Sequence, residues 1–157
     1  MTSAEFSQAI KARLHPEPYK RDIQPCDALD FLIVRRSVLF IWRYAFALRQ
    51  IGPDGVAETY RRARAEARRL PKSMWLFHQV GLYLMLCGPE SSWRNHTADG
   101  PADRTGLHNI IVQAVHFVDL ETGAHHLNQS AWGPVKFGGL IPIPEMVGEI
   151  IKRIPTE

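Results

Sequence analysis

The spacing of apolar residues changes once along this chain, and that change limits the folds open to it. Before residue 88 the apolar residues recur every three or four positions, which is the period of a helix. Between residues 107 and 120 they form a strand-like run that includes Val112, Val115 and Phe117. Because helices precede strands, the pattern predicts an α+β protein. In this prediction an N-terminal helical layer of three main helices packs on a small C-terminal antiparallel sheet with a final helix.

Glycine, proline and capping residues set the bounds of the three predicted helices. The first covers residues 27–51 and is stopped by Gly52 and Pro53. The second follows Asp54, which is a good N-cap, and the third covers residues 74–87. We expect the first and third helices to be buried, because apolar residues occupy most of their circumference.

Length, proline content and polarity assign the remaining segments. With 157 residues, of which 45% are hydrophobic and 22% charged, the chain is predicted to form one globular domain over residues 1–157. Residues 1–25 contain three prolines and are predicted to form an extended arm or a short helix. Residues 89–106 are predicted to form a long polar loop, and residues 145–154 the final helix.

Positive charge is concentrated on one short segment. The chain carries a net charge of +3, while residues 49–72 hold seven basic and three acidic residues, a local charge of +4. Such a field predicts an acidic partner, either an acidic protein surface or nucleic acid, and the sequence leaves these two undecided. No helix-turn-helix, zinc-finger or RNA-binding signature indicates recognition of specific bases.

Four basic residues of the second helix are predicted to form an unpaired stripe opposite its apolar face. Glu58 can pair with Arg62, and Glu66 with Arg62 or Arg69. The stripe consists of Arg61, Arg64, Arg68 and Lys72. It predicts a small non-catalytic binding protein, such as an inhibitor or accessory protein, that engages its acidic partner through this arginine-rich helix. The alternative interpretation is an ordinary solvated helix face.

A cysteine, a histidine and an asparagine supply a second, catalytic hypothesis. Residues 121–123 predict a tight three-residue hairpin loop, which places His116 opposite Asn128 on neighbouring strands. Cys26 is predicted at the start of the first helix, where the helix dipole lowers the pKa of a thiol. The order Cys26, His116, Asn128 resembles that of the nucleophile, base and orienting residue in papain-like cysteine proteases. The alternative function is therefore a cysteine-dependent hydrolase or transferase.

Other kinds of site are not expected. Cys26 and Cys87 lack Cys-x-x-Cys spacing, and His125 and His126 point to opposite faces of one strand, so no metal site is predicted. Phosphate-binding and dinucleotide-binding motifs are missing from the sequence, so no cofactor is predicted. No apolar stretch is long enough for a membrane span and no secretory signal is present, which favours a cytoplasmic location. A homo-oligomer held together by exposed tryptophans is a further alternative.

Overall fold

The computed structural model of the chain describes residues 1–14, 21–26, 29–36, 41–67, 80–97, 110–129 and 143–153. These residues form four α-helices and six strands in one domain. The helices are α1 (Ser3–Leu14), α2 (Gly55–Ala67), α3 (Glu90–Trp93) and α4 (Ile143–Ile151). The strands are β1 (Arg21–Cys26), β2 (Leu29–Arg36), β3 (Ile41–Gln50), β4 (Val80–Cys87), β5 (Ile110–Val118) and β6 (His125–Gln129).

All six strands belong to one mixed sheet in the order β1-β2-β3-β4-β5-β6. The first three strands form an antiparallel meander, β3, β4 and β5 run parallel, and β6 returns antiparallel to β5. Parallel neighbours need a crossover connection outside the sheet, and α2 lies in the connection between β3 and β4. The predicted small C-terminal antiparallel sheet is therefore wrong. Only the coarse α+β class holds.

The first predicted helix, over residues 27–51, is also wrong, because this segment contains β2 and β3. The two strands pair antiparallel, with Leu32 opposite Ala45 and Ile33 opposite Tyr44. The segment is rich in β-branched and aromatic residues, which favour strands. It is also apolar around most of the circumference of a helical wheel, and periodicity alone does not separate a buried helix from buried strands. The predicted N-terminal layer of three helices is therefore not seen among the described residues, where only the second of the three forms a helix.

The third predicted helix is wrong where the structure describes it, because residues 80–87 form β4. Residues 74–79 lie outside the described residues. β4 sits between two parallel neighbours and is buried on both faces, so both alternating sets of its side chains are apolar. Leu82, Leu84 and Leu86 face one side of the sheet, and Tyr83, Met85 and Cys87 face the other. The continuous apolar sequence reflects this double burial.

Two hydrophobic cores lie on opposite faces of the sheet. α1 and α4 cover one face, which we call the α1/α4 face, with buried side chains that include Phe6, Ile10 and Ile150. α2 and α3 cover the other, the α2/α3 face, with buried side chains that include Val56 and Trp93. The sheet is therefore the middle of three layers, and every strand that has both faces covered must supply apolar side chains to both cores.

The second and last predicted helices and the predicted hairpin are confirmed. The second helix is α2, and the last is α4 with Val147, Ile150 and Ile151 buried. The predicted strand at residues 107–120 contains β5, and β6 follows it after a turn.

Two more segments contain regular structure: residues 89–106, predicted as a long polar loop, and residues 1–25, predicted as an extended arm or a short helix. The segment 89–106 begins with α3 and a 3₁₀ turn, Arg94–His96, and its residues after 97 lie outside the described part of the chain. The segment 1–25 contains α1 and most of β1. No helix among the described residues is long and apolar enough to cross a membrane.

Candidate partner-binding surface

α2 packs one side against the sheet and turns the other outward. Its buried residues Val56, Thr59, Ala63 and Ala67 recur at three- and four-residue intervals, as the apolar stripe of a surface helix does. The Thr59 hydroxyl is satisfied within the helix, because it donates to the Gly55 carbonyl oxygen at 2.9 Å. The charged residues between these positions lie on the outward side, which we call the α2 outer face.

Two guanidinium groups of the α2 outer face share one carboxylate. Arg61 donates from Nε and Nη2 to the two Glu58 oxygens, both at 2.7 Å. Arg62 donates from Nε to Glu58 at 2.7 Å and from Nη2 to Asp54 at 2.8 Å. The hydrogen bonds from Arg61 and then Arg62 lower the pKa of Glu58 to about 2. The prediction that Arg61 has no partner is wrong, because its three-residue spacing from Glu58 brings the two side chains together.

The two arginines are more exposed than the carboxylate they share. The Arg61 and Arg62 side chains are 73% and 61% exposed, while that of Glu58 is 25% exposed. A partner approaching the α2 outer face would therefore meet guanidinium groups before it met the Glu58 carboxylate. Each of the two guanidinium groups already makes two hydrogen bonds, which reduces the side-chain entropy lost on binding.

A third arginine of the basic segment is held from the neighbouring strand. Arg49, near the end of β3, donates from Nε at 2.9 Å and from Nη2 at 2.7 Å to Glu66 of α2. It also donates from Nη1 to the Leu48 carbonyl oxygen at 2.7 Å. Glu66 was predicted to pair with Arg62 or Arg69, but Arg62 binds Glu58 and Asp54, and Arg69 lies outside the described residues. The packing of α2 on the sheet decides the partner.

The remaining residues of the predicted stripe are described in part. Arg64 is half-exposed on α2. Burial raises the pKa of the neighbouring Tyr60 hydroxyl, and the positive charge of Arg64 opposes that rise. Arg68 and Lys72 lie outside the described residues, so their place on the stripe stays a prediction.

The hairpin between β5 and β6 has a different register from the predicted one. The Asp119 amide donates to the Ala124 carbonyl oxygen and the Gly123 amide donates to the Asp119 carbonyl oxygen, both at 2.9 Å, so the turn spans residues 120–123. Gly123 adopts a φ of +75°, which suits glycine. The turn is one residue longer than predicted, and a one-residue slip moves every side chain of β6 to the other face.

The predicted pairing of His116 with Asn128 is therefore wrong. His116 lies opposite Leu127, and Asn128 lies opposite Val115. The His116 and Asn128 side chains face opposite sides of the sheet. Asn128 donates from Nδ2 to the Thr97 carbonyl oxygen at 3.1 Å, and His116 is fully buried on the α1/α4 face. His116 has no access to a substrate in this arrangement.

Cys26 is not at a helix start. It is the last residue of β1 and pairs with Leu29 of β2. The predicted lowering of its pKa by a helix dipole has no structural basis, since the segment that follows forms a strand and not a helix. The catalytic hypothesis therefore loses two of its supports. Cys26 has no helix dipole to lower its pKa, and His116 does not contact Asn128.

Sequence reasoning missed a pair of contacting histidines on the same hairpin. His116 Nδ1 and His125 Nε2 lie 3.0 Å apart, and the two rings stack with centroids 5.3 Å apart and an interplanar angle of 5°. The corrected register explains the contact, because it puts both residues on the α1/α4 face as diagonal neighbours. The predicted pairing differed only because the turn was predicted to have three residues, whereas it has four.

Metal binding and tryptophan-mediated assembly receive no support from the described residues. No group of three or more histidine, cysteine or acidic side chains in the described ranges is placed to hold a metal ion. Trp93 is buried, and its indole donates to the Gly88 carbonyl oxygen at 2.9 Å, while Trp75 and Trp132 lie outside the described residues. No protein-family model, curated protein or solved structure gives a significant match to the chain.

Proposed function

We propose that this chain is a non-catalytic binding protein that engages an acidic protein surface through the α2 outer face. The observation that carries the proposal is the pair of exposed guanidinium forks, Arg61 and Arg62, held over the less exposed Glu58 carboxylate. Arg64 lies on the same helix, and Arg68 and Lys72 follow it in the sequence. Together the arginines would present planar donors that suit the carboxylates of a partner, and Lys72 would add a positive charge.

An acidic protein fits this surface better than nucleic acid does. Three acidic residues, Asp54, Glu58 and Glu66, lie among the seven basic residues of segment 49–72, and each of them pairs with an arginine. A phosphate backbone is a continuous line of negative charge, and the three carboxylates would repel it. A protein surface has separated carboxylates that can contact the arginines and avoid the acidic residues.

Charge reversal on α2 tests the proposal. Arg61→Glu/Arg64→Glu is expected to weaken binding of a glutamate-rich peptide by roughly tenfold or more, because two charge-assisted contacts become repulsions. Fluorescence anisotropy at low salt measures the affinity. The matched control is Lys152→Glu/Arg153→Glu, which makes the same change in net charge on exposed residues that follow α4. Equal weakening by both variants, or none by either, would contradict a specific role for α2.

Removal of the Glu58 charge distinguishes the two kinds of acidic partner. Glu58→Gln keeps the shape of the side chain and raises the charge of the α2 outer face by one. We expect it to strengthen binding of a DNA duplex and to steepen the salt dependence by about one counterion, while the peptide gains less. A wild-type protein that already binds the duplex more tightly than the peptide would favour nucleic acid. The melting temperature should barely change, because exposed ion pairs stabilise proteins little.

A further inference from the structure

The histidine pair has room for one shared proton and no more. At 3.0 Å, either His116 Nδ1 or His125 Nε2 carries the hydrogen and the other nitrogen accepts it. A second proton between the two nitrogens would remove the hydrogen bond and place two donors against each other. The closed hairpin therefore cannot hold two charged rings, because each imidazolium would carry a hydrogen on the nitrogen that faces the other.

The second ring nitrogen of His116 makes protonation harder still. Among the described residues, His116 Nε2 is buried and has no hydrogen-bond partner. A protonated His116 would need an acceptor at this atom, because both nitrogens of an imidazolium are donors. Since that acceptor is missing and the side chain is fully buried, a charged His116 is poorly solvated where it lies.

Among the described residues, the elements packed around the pair offer no compensating carboxylate. β4 contributes Tyr83 and Cys87 to this face, and His126 of β6 lies next to His125 but faces the other side. The buried contacts of α1 and α4 are apolar. The described charged side chains on these helices and just after α4 are exposed or half-exposed: Glu5, Lys11, Arg13, Glu149, Lys152 and Arg153. Arg13 and Glu149 pair with each other.

We propose that His116 and His125 form an acid-sensitive switch, in which protonation of both rings breaks their hydrogen bond and releases β6 from the edge of the sheet. β6 is the strand best placed to open, because it is short and pairs only with β5 among the described strands. His125 is its first residue and follows the turn directly. Release would uncover part of the α1/α4 core beneath Leu127.

The pKa directions agree with this geometry. Burial, and then the nearby charge of His125, lower the pKa of His116 from 6.5 to about 3. Burial, and then the charge of His126, lower the pKa of His125 from 6.5 to about 4. Both values lie below that of an exposed histidine, so the closed hairpin is favoured at neutral pH. That preference is lost as the pH falls below 6.5 toward 4.

Amide hydrogen exchange tests the switch strand by strand. Exchange at residues 125–129 and 82–87 is measured at pH 7 and pH 5 and corrected for intrinsic rates. Each imidazole that is released should increase the opening of β6 by about 20-fold between these pH values, while the central strand β4 changes less. His125→Gln, which cannot take up a proton, should remove the contribution of that ring and leave at most the contribution of His116. His126→Gln, the exposed neighbour, should leave it intact.

Three results would overturn the switch. They are a wild-type β6 whose opening is the same at both pH values, an equal rise in β4 and β6, and loss of the pH dependence in His126→Gln. If His125→Gln does not fold, the ring signals of the wild-type protein decide the question by NMR. Titration of His116 and His125 near pH 6.5 with β6 still protected contradicts the proposal, and titration that accompanies loss of protection supports it.

Discussion

Replacing Phe117 with alanine is expected to lower the free energy of unfolding by about 3–5 kcal/mol. Phe117 is fully buried on the α2/α3 face of β5. Its ring centroid lies 5.9 Å from that of Trp93 and 6.3 Å from that of His126. The substitution leaves a cavity that the surrounding sheet cannot close, because β5 is fixed on both sides by neighbouring strands. Urea denaturation at neutral pH measures the loss.

Two other variants bound the effect of Phe117→Ala. His126→Ala removes a ring from the same contact but from an exposed position, and it should cost less than about 1 kcal/mol. Phe117→Leu keeps most of the volume and should fall between the two. If Phe117→Ala destabilises the protein no more than His126→Ala does, the α2/α3 core is not packed as described.

Replacing Asp119 with alanine is expected to cost about 2–4 kcal/mol, because three backbone amides lose their acceptor. Asp119 is buried at the end of β5. One carboxylate oxygen accepts from the amides of Glu121 at 2.9 Å and Thr122 at 3.2 Å, and the other accepts from the amide of Glu90 at 3.0 Å. Asp119 therefore ties the hairpin turn to the start of α3. Thermal and urea unfolding measure the loss.

The exposed neighbour Glu121 provides the control for Asp119. Glu121→Ala changes the charge by the same amount at an exposed position of the turn and should cost little. Asp119→Asn should be intermediate, because one side-chain oxygen can still accept. Equal stability of Asp119→Ala and Glu121→Ala would show that the carboxylate does not hold the turn.

Asp119 and the histidine pair should begin to affect stability at different pH values. Burial alone would raise the pKa of Asp119, but the amide hydrogen bonds outweigh it and leave the pKa below its usual 3.8. Its contribution is therefore present above pH 3.8 and lost only at lower pH. The contribution of the histidine pair begins to be lost earlier, at pH 6.5, and the loss continues to about 4 for His125 and about 3 for His116. In Asp119→Asn the later loss should be absent and the earlier one retained.

Amphipathic elements could be predicted from the sequence because each has one buried side. α2 shows apolar residues at helical spacing after Asp54, and α4 shows them after Pro144. Each pattern has one apolar arc and one polar arc, so only one period fits it. The hairpin was found because Gly123 marks the turn between two runs of strand-forming residues.

Elements buried on two sides could not be predicted in the same way. β4 must be apolar at every position because it lies between two cores, and a run of this kind fits a buried helix as well as a strand. β2 and β3 raised the same ambiguity. This misassignment led to the wrong fold prediction. If β2, β3 and β4 are taken as helices, only the C-terminal hairpin is left to form a sheet.

The candidate sites depend on contacts between different helices and strands, and the order of residues in the chain does not reveal such contacts. The four-residue spacing of Glu58 and Arg62 predicted their ion pair correctly. The partner of Glu66 could not be predicted, because Arg49 reaches it from β3 across the packing of helix on sheet. His116 was predicted to face Asn128, and one additional residue in the turn gave it His125 instead.

The sequence by itself determined where α2, α4 and the β5–β6 hairpin form. It also showed that the excess positive charge lies in and around α2. Those features depend on local periodicity, turn residues and composition. The tertiary structure decided that the apolar runs before residue 88 are strands, that the sheet has parallel strands at its centre, and which face each hairpin side chain takes. It also paired Glu66 of α2 with Arg49 of β3. The physical reason is that burial on two faces removes the periodic signal, while register and ion pairing depend on neighbours distant in the chain.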